Sequence, residues 1–316
     1  MNRIIPLVDL SHFQAGTSSE QSQFVEALGN AFQTIGFVGV TQHGIPQQLV
    51  TSYYEAANAF FALPLAVKRK YEIPNLAGQR GYTSFGKEHA KGSNIADLKE
   101  FFQVGQTVTD DDPIKDKYPP NVEVAEVEAF TTLSVALYKA FEHTGKVILQ
   151  AIALYLELDK HYFDSKVHNG NSILRAIHYP PILTEPASAI RAEQHEDINL
   201  ITLLVGASAG GLQLLNRQNE WLEIVPEADE IVVNVGDMLQ RLTNDYLKST
   251  THRVVNPPRA SWHLPRLSIP FFLHPRMEMD LACLPQFVTS DYPKKYEPIT
   301  AIAYLEERLK EIGLKK

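Results

Sequence analysis

His195-Glu196-Asp197 and His252, 57 residues further on, are the side chains of this sequence best placed to do chemistry together. In an extended chain residues i and i+2 point to the same face, so His195 and Asp197 project side by side, which suits two ligands on one metal ion. Two imidazoles and one carboxylate hold a mononuclear iron(II) by one face and leave adjacent positions open for a bidentate molecule and dioxygen. The same three side chains can also hold Zn2+, so a zinc hydrolase is an alternative. A His-x-Asp pair is a short pattern that chance supplies easily, and its weight comes from its surroundings.

The first of these surroundings is Arg266-Leu267-Ser268-Ile269-Pro270-Phe271-Phe272-Leu273. Strand alternation places Arg266, Ser268, Pro270 and Phe272 on one face. A guanidinium binds a carboxylate through two parallel hydrogen bonds, and a serine hydroxyl adds a third. A dicarboxylate such as 2-oxoglutarate would give one end to Arg266 and Ser268 and the other to the metal. The plain alternative is an arginine paired with a protein carboxylate. A rival Arg-x-Ser, Arg259-Ala260-Ser261, follows Asn256-Pro257-Pro258 in a proline-rich turn and opens no strand.

The elements that must position these residues follow from periodicity. Apolar runs at 173–178, 198–205, 212–216, 221–225, 231–235 and 267–273, separated by Gly, Asn and Pro, predict an antiparallel sandwich or jelly roll. Residues 1–165 read mostly as helix. Thr17, Ser18 and Glu20 or Gln21 offer a capping box, with Phe24, Leu28, Ala31 and Ile35 on one helical face behind it. A strand covers 36–41, a helix 47–61, and a long helix begins near Val122. The stretch 74–120 reads as irregular, and Asn234, Gly236 and Asp237 as a turn. A final amphipathic helix runs from Thr300 through Ile302, Leu305, Leu309 and Ile312. One integrated domain is expected: a helical and mixed region at 1–165, a jelly-roll core at 166–280 and a helical tail at 281–316.

Composition sets the remaining bounds. The chain has 316 residues, 21% charged, 44% apolar and a formal net charge of −8. These values exclude disorder and a disulfide-stapled mini-protein. The acidic balance makes nucleic acid an unsuited partner, and no run approaches the ~20 apolar residues of a membrane span. The single cysteine, Cys283, permits no internal disulfide. A cytoplasmic protein without a leader, monomeric or weakly homo-oligomeric, is expected.

In their order along the chain these pieces resemble the iron(II)/2-oxoglutarate-dependent oxygenases of the isopenicillin N synthase-like group. The resemblance runs through Ile5-Pro6-Leu7-Val8-Asp9, Gly36-Phe37 with His43-Gly44-Ile45-Pro46, Arg80-Gly81-Tyr82, Lys99-Glu100-Phe101 and His178-Tyr179-Pro180-Pro181. It continues through His195-Glu196-Asp197, Gly211-Leu212-Gln213-Leu214, Val233-Asn234-Val235-Gly236-Asp237, His252-Arg253-Val254 and Arg266-Leu267-Ser268.

The resemblance implies a mainly β core with flanking α-helices, a distorted double-stranded β-helix (a cupin-like jelly roll). It implies a dioxygenase that oxidises, most readily by hydroxylation, a small organic substrate with O2 while 2-oxoglutarate becomes succinate and CO2, with ascorbate as a stimulant. His195, Asp197 and His252 match its iron ligands, Arg266 and Ser268 its site for the far carboxylate, and Tyr179 an assisting tyrosine. Phe272, Tyr82 and Phe101 fall where substrate contacts would come, with ordinary packing as the alternative for each. Two departures stand out. Ile177 occupies a position that is Asn in many members, and the 14-residue interval from His252 to Arg266 is long, with Trp262 inside it. An oxidase that dispenses with 2-oxoglutarate and a non-catalytic jelly-roll binding protein complete the alternatives.

Overall fold

The computed structural model describes residues 3–76, 78–90, 95–110, 112, 114–227, 229–312 and 314. The chain begins with β1 (Leu7–Asp9), α1 (Leu10–Ala15) and α2 (Ser18–Thr34), continues through β2 (Phe37–Thr41), α3 (Gln47–Phe61) and α4 (Leu65–Lys68), and reaches β3 (Gly81–Thr83) and β4 (Glu100–Gly105). The long helix α5 (Phe130–Tyr155) and a short α6 (Asp164–Val167) follow, then β5 (Ile173–Tyr179), β6 (Ala192–His195), β7 (Ile201–Val205), β8 (Leu212–Leu215), β9 (Trp221–Glu223) and β10 (Ile231–Val235). After α7 (Asp237–Leu242) come β11 (His252–Val254), β12 (Arg266–Ser268), β13 (Pro270–Leu273) and α8 (Ala301–Glu311).

Local chemistry explains the helix ends. Thr17 caps α2 with its side chain on the Glu20 amide while Glu20 reaches back, so the capping box is reciprocal. Thr300 accepts from the Ala303 amide and opens α8. The long helix starts at Phe130 rather than near Val122, and Thr131 Oγ1 instead takes the Val124 amide just ahead of it.

Two sheets carry the fold. The larger runs β1-β2-β10-β7-β13-β5-β4-β3 with β12 also beside β5, and the smaller runs β6-β11-β8-β9. One face of the larger sheet packs on the helices through Phe102, Leu174, Leu203, Val233 and Phe271, with Phe60, Phe130 and Phe141 opposite. Its other face meets the smaller sheet across Phe37, Phe101, Ile177, Tyr179, Leu214 and Val254. Both faces of the larger sheet are therefore covered, and each carries an apolar patch.

The mainly β, jelly-roll architecture is as expected, with two differences in detail. The stretch 74–120 contains β3 and β4, which extend the larger sheet beside β5. In addition, β6 and β11 form strands of only four and three residues, short enough to hide in a periodicity scan. No described helix is long and apolar enough to cross a membrane.

Candidate functional site

His195 ends β6 and His252 begins β11, and the two are directly opposite in an antiparallel pair. Asp197 follows in the turn where the chain leaves the smaller sheet for β7 in the larger one. It is this crossover, rather than strand alternation, that brings Asp197 beside His195. Asp197 Oδ1 lies 3.8 Å from His195 Nε2 and 3.6 Å from His252 Nε2, and the imidazole centroids are 4.4 Å apart. One potential ligand atom from each residue falls within 4.8 Å of the others.

The other polar atoms of the three are already engaged. His195 Nδ1 pairs with the Glu193 carbonyl at 2.7 Å and His252 Nδ1 with the Thr250 carbonyl at 3.1 Å. Donating from Nδ1 leaves each Nε2 as a neutral lone pair facing the cavity, the form that binds a metal. Asp197 Oδ2 accepts from Thr202 Oγ1 at 2.6 Å and Asn234 Nδ2 at 2.8 Å, which frees Oδ1. Burial acts to raise the Asp197 pKa. The facing histidines and these two donors outweigh it and hold the carboxyl below its usual range. His195 is pushed down to about 4, first by desolvation and then by neighbouring His252.

Backbone geometry supports the cluster. Asn234 and Asp237 do not form the predicted turn: Asn234 lies within β10 and reaches Asp197, while Asp237 opens α7 and donates its amide to the Asp197 carbonyl at 2.8 Å. Gly236 between them packs so closely that a Cβ would lie 2.3 Å from the Asn199 carbonyl oxygen. Gly36, at φ +77°, allows the chain entering β2 to touch Lys248 and Thr250, the segment leading to His252. Phe37 sets its ring edge-on to His252 at 5.6 Å.

The other predicted residues sort by strand parity. β12 pairs with β5 so that Arg266 faces Tyr179 and Ser268 faces Ile177, and all four line one cavity with the histidine cluster. Phe272 lines it too. Arg266 is 2% exposed; its Nε donates to the Ala209 carbonyl at 3.0 Å, its Nη1 has no partner, and its Cζ sits 5.1 Å from the Tyr179 ring centre. A buried guanidinium without an acid requires an anion. Tyr82 is not brought to the cavity. Its register partner is Phe102, on the helix face, where it packs on Phe60 and donates to Glu100. Phe101 faces the right way but is covered by Arg175, whose Cζ lies 4.2 Å from its ring. Arg259 of the rival pair is 81% exposed on its side chain.

Several lining residues were not anticipated. Arg175 alternates with Ile173, Ile177 and Tyr179 along β5, so the parity that pointed to Tyr179 also selects it. Its Nη1 meets Glu88 at 3.2 Å and its Nε meets Gln103 at 3.0 Å, while Lys99 bridges Glu88 at 2.6 Å and Asp97 at 2.7 Å. Burial would raise Glu88, yet Arg175 and Lys99 hold it at about 2. His274, also on the cavity, is depressed to about 4 by burial. Leu305 and Leu309 of α8 and Ile312 just after it close part of the wall, and Tyr304 ties the helix to Asp237 at 2.8 Å.

The pocket suits the group that its donors imply. Three ligand atoms converge on a point with their partner atoms pre-bonded, and an unpaired guanidinium stands elsewhere in the same cavity. Residues 5–126 match the family model for the non-haem dioxygenase in morphine synthesis N-terminal region, and residues 170–275 that of the 2OG-Fe(II) oxygenase superfamily. A protein assigned to the 2OG-Fe(II) oxygenase family from Caulobacter crescentus shares 40% identity at a TM-score of 0.88, over 98% of this chain and 100% of that one. A full-length protein from Neurospora crassa, solved with alpha-KG (2-oxoglutarate) and thymine, shares 30% at a TM-score of 0.85, over 98% and 97%. The 2-oxoglutarate-dependent dioxygenase ecdK of Aspergillus rugulosus is 31% identical over 95% of this chain and 97% of its own. Neither the hydrolase nor the binding-protein alternative is favoured by these likenesses, and the chain belongs to the 2OG-Fe(II) oxygenase superfamily as a 2-oxoglutarate-dependent dioxygenase that uses Fe(II) and O2.

Proposed function

We propose that His195, Asp197 and His252 hold the iron, that Arg266 and Ser268 with Tyr179 hold the far carboxylate of 2-oxoglutarate, and that the product is a hydroxylated small molecule. The overall reaction is R–H + 2-oxoglutarate + O2 → R–OH + succinate + CO2. The observation that carries this reading is the pairing, in one cavity, of the convergent triad with the unpartnered Nη1 of Arg266. Iron, when bound, supplies the centre at which dioxygen is reduced as 2-oxoglutarate loses CO2.

The chain's own residues do the rest. Asn234 and Thr202 keep Asp197 ionised and aimed. The Glu193 and Thr250 carbonyls fix the imidazole tautomers. Arg266 sets which end of the dicarboxylate points away from the triad. Phe272 and Arg175 form the substrate wall, with apolar α8 residues limiting water. Ile177 offers no amide there, so orientation of the co-substrate falls to Arg266 and Ser268. The charged wall around Arg175 and Gln103 supports a substrate with a polar group. The presence of thymine in the Neurospora crassa complex supports a molecule of similar size.

The test is a screen of small metabolites for stimulated succinate release with Fe(II), 2-oxoglutarate and ascorbate. Succinate release that requires Asp197 and Arg266 is expected. Substrate oxidation that continues at full rate without 2-oxoglutarate, or is unchanged in Arg266→Ala, would replace this reading with the oxidase that dispenses with the co-substrate.

A further inference from the structure

A second arginine stands beside the first without a counter-charge. Arg191, just ahead of β6, is 2% exposed. Its Cζ lies 5.8 Å from the centre of the Tyr179 ring that Arg266 approaches at 5.1 Å. Its Nη2 donates to the Leu264 carbonyl at 3.1 Å, and its Nε is buried with no partner. No acid among the described residues forms an ion pair with either arginine. Burial, and then the charge of Arg266, depress Arg191 to about 10.

The segment bearing Arg191 is held by the long interval noted in the sequence. Leu264 belongs to the connection between His252 and Arg266, Asn256 in the same connection donates to the Ala189 carbonyl at 2.9 Å, and the Trp262 carbonyl accepts the Ile182 amide at 2.9 Å. The extra residues therefore serve to fix a second guanidinium next to the co-substrate end of the cavity.

Two like charges desolvated around one tyrosine repel each other, and an anion bound between them offsets that cost. Resting on the co-substrate reading above, we propose that Arg191 is a positioning residue of the 2-oxoglutarate pocket: it adds its field to that of Arg266 across Tyr179 and so makes the pocket select a dicarboxylate over a 2-oxo acid with an uncharged tail. At separations near 10 Å inside protein, one added charge is worth about 10-fold in affinity.

Isothermal titration of the Fe(II)-loaded chain under anaerobic conditions with 2-oxoglutarate, and with 2-oxohexanoate as the uncharged-tail probe, tests this without relying on turnover. In Arg191→Met the 2-oxoglutarate Kd should rise about 10-fold while 2-oxohexanoate binding stays level, so that the preference between them narrows. In turnover, KM for 2-oxoglutarate should rise with kcat held. Arg191→Lys keeps the charge and should regain most of the affinity, and it also serves if the Met variant fails to fold. If Arg191→Met leaves 2-oxoglutarate affinity unchanged while Arg266→Met lowers it, the second-guanidinium role is overturned and the co-substrate reading stands. If neither substitution changes affinity, both fall. A Lys variant as weak as the Met variant, with an intact fold, also overturns the role, since charge is then not the agent.

Discussion

Two buried charge clusters sit on opposite faces of the same strand, β4 and the residue before it, and they behave differently. On the helix face Glu100 receives Lys68 at 2.8 Å, His178 at 2.8 Å and Tyr82, and His178 stacks on Phe61. On the cavity face Lys99 and Gln103 join Glu88, Asp97 and Arg175. The first cluster is sealed, with each charge satisfied inside the protein. The second is satisfied too, but its members line the space a substrate must enter. Burial and ion pairing alone therefore do not mark a functional charge; the face of the sheet does.

Five substitutions, one of them read through a pH titration, break or sharpen that contrast. Asp197→Ala, at the centre of the cavity face, should cost two orders of magnitude or more in succinate release, beyond the roughly 10–100-fold seen when only a ligand's supporting partner is lost; iron content after reconstitution checks the cause. Glu100→Gln should cost stability, about 3–5 kcal/mol by urea unfolding, because Lys68 loses its buried anion, while the folded fraction keeps its kcat. Arg175→Met should show the converse: a smaller stability loss, since Glu88 keeps Lys99, with substrate KM raised about 10-fold. If Glu100→Gln proves the more damaging to KM, the division between the faces fails.

The iron-free chain should also lose stability as acid is added between pH 6.5 and 4. His274 is depressed from 6.5 to about 4 in the folded state. The unfolded chain therefore binds the extra proton in that window, and stability falls as pH falls through it. Urea midpoints at pH 7 and 5 for the wild type and His274→Gln measure the share, which the variant should lack. The smallest effect belongs to Arg259→Ala, whose exposed side chain should leave 2-oxoglutarate KM unmoved within error.

Much of this was legible in the residues. The Thr17–Glu20 box, the helix at 47–61 and most strands of the core appear through caps and periodicity that are local properties. His195, Asp197 and His252 stood out less by the His-x-Asp pattern, which chance supplies easily, than by the Arg266-x-Ser268 strand and the ordered apolar runs around them. Tyr82 was misplaced because an irregular stretch gives no parity, and only its pairing with Phe102 turns it toward the helices. Arg191 and the Glu88–Lys99 pair left no local signal, since their meaning depends on contacts 73 and 11 residues away. The apolar stripe of α8 announced a buried face but not that the face would cover the cavity.

The crossover at Asp197 has a mechanical consequence. With the ligand set proposed above, an ion held by His195 and His252 would join two positions 57 residues apart and tie them to the crossover between the two sheets. A chain whose single cysteine rules out an internal disulfide would thus gain a cross-link that chelators can remove. Hydrogen exchange in the smaller sheet should slow on metal loading, making the iron a staple of the fold as well as its reagent.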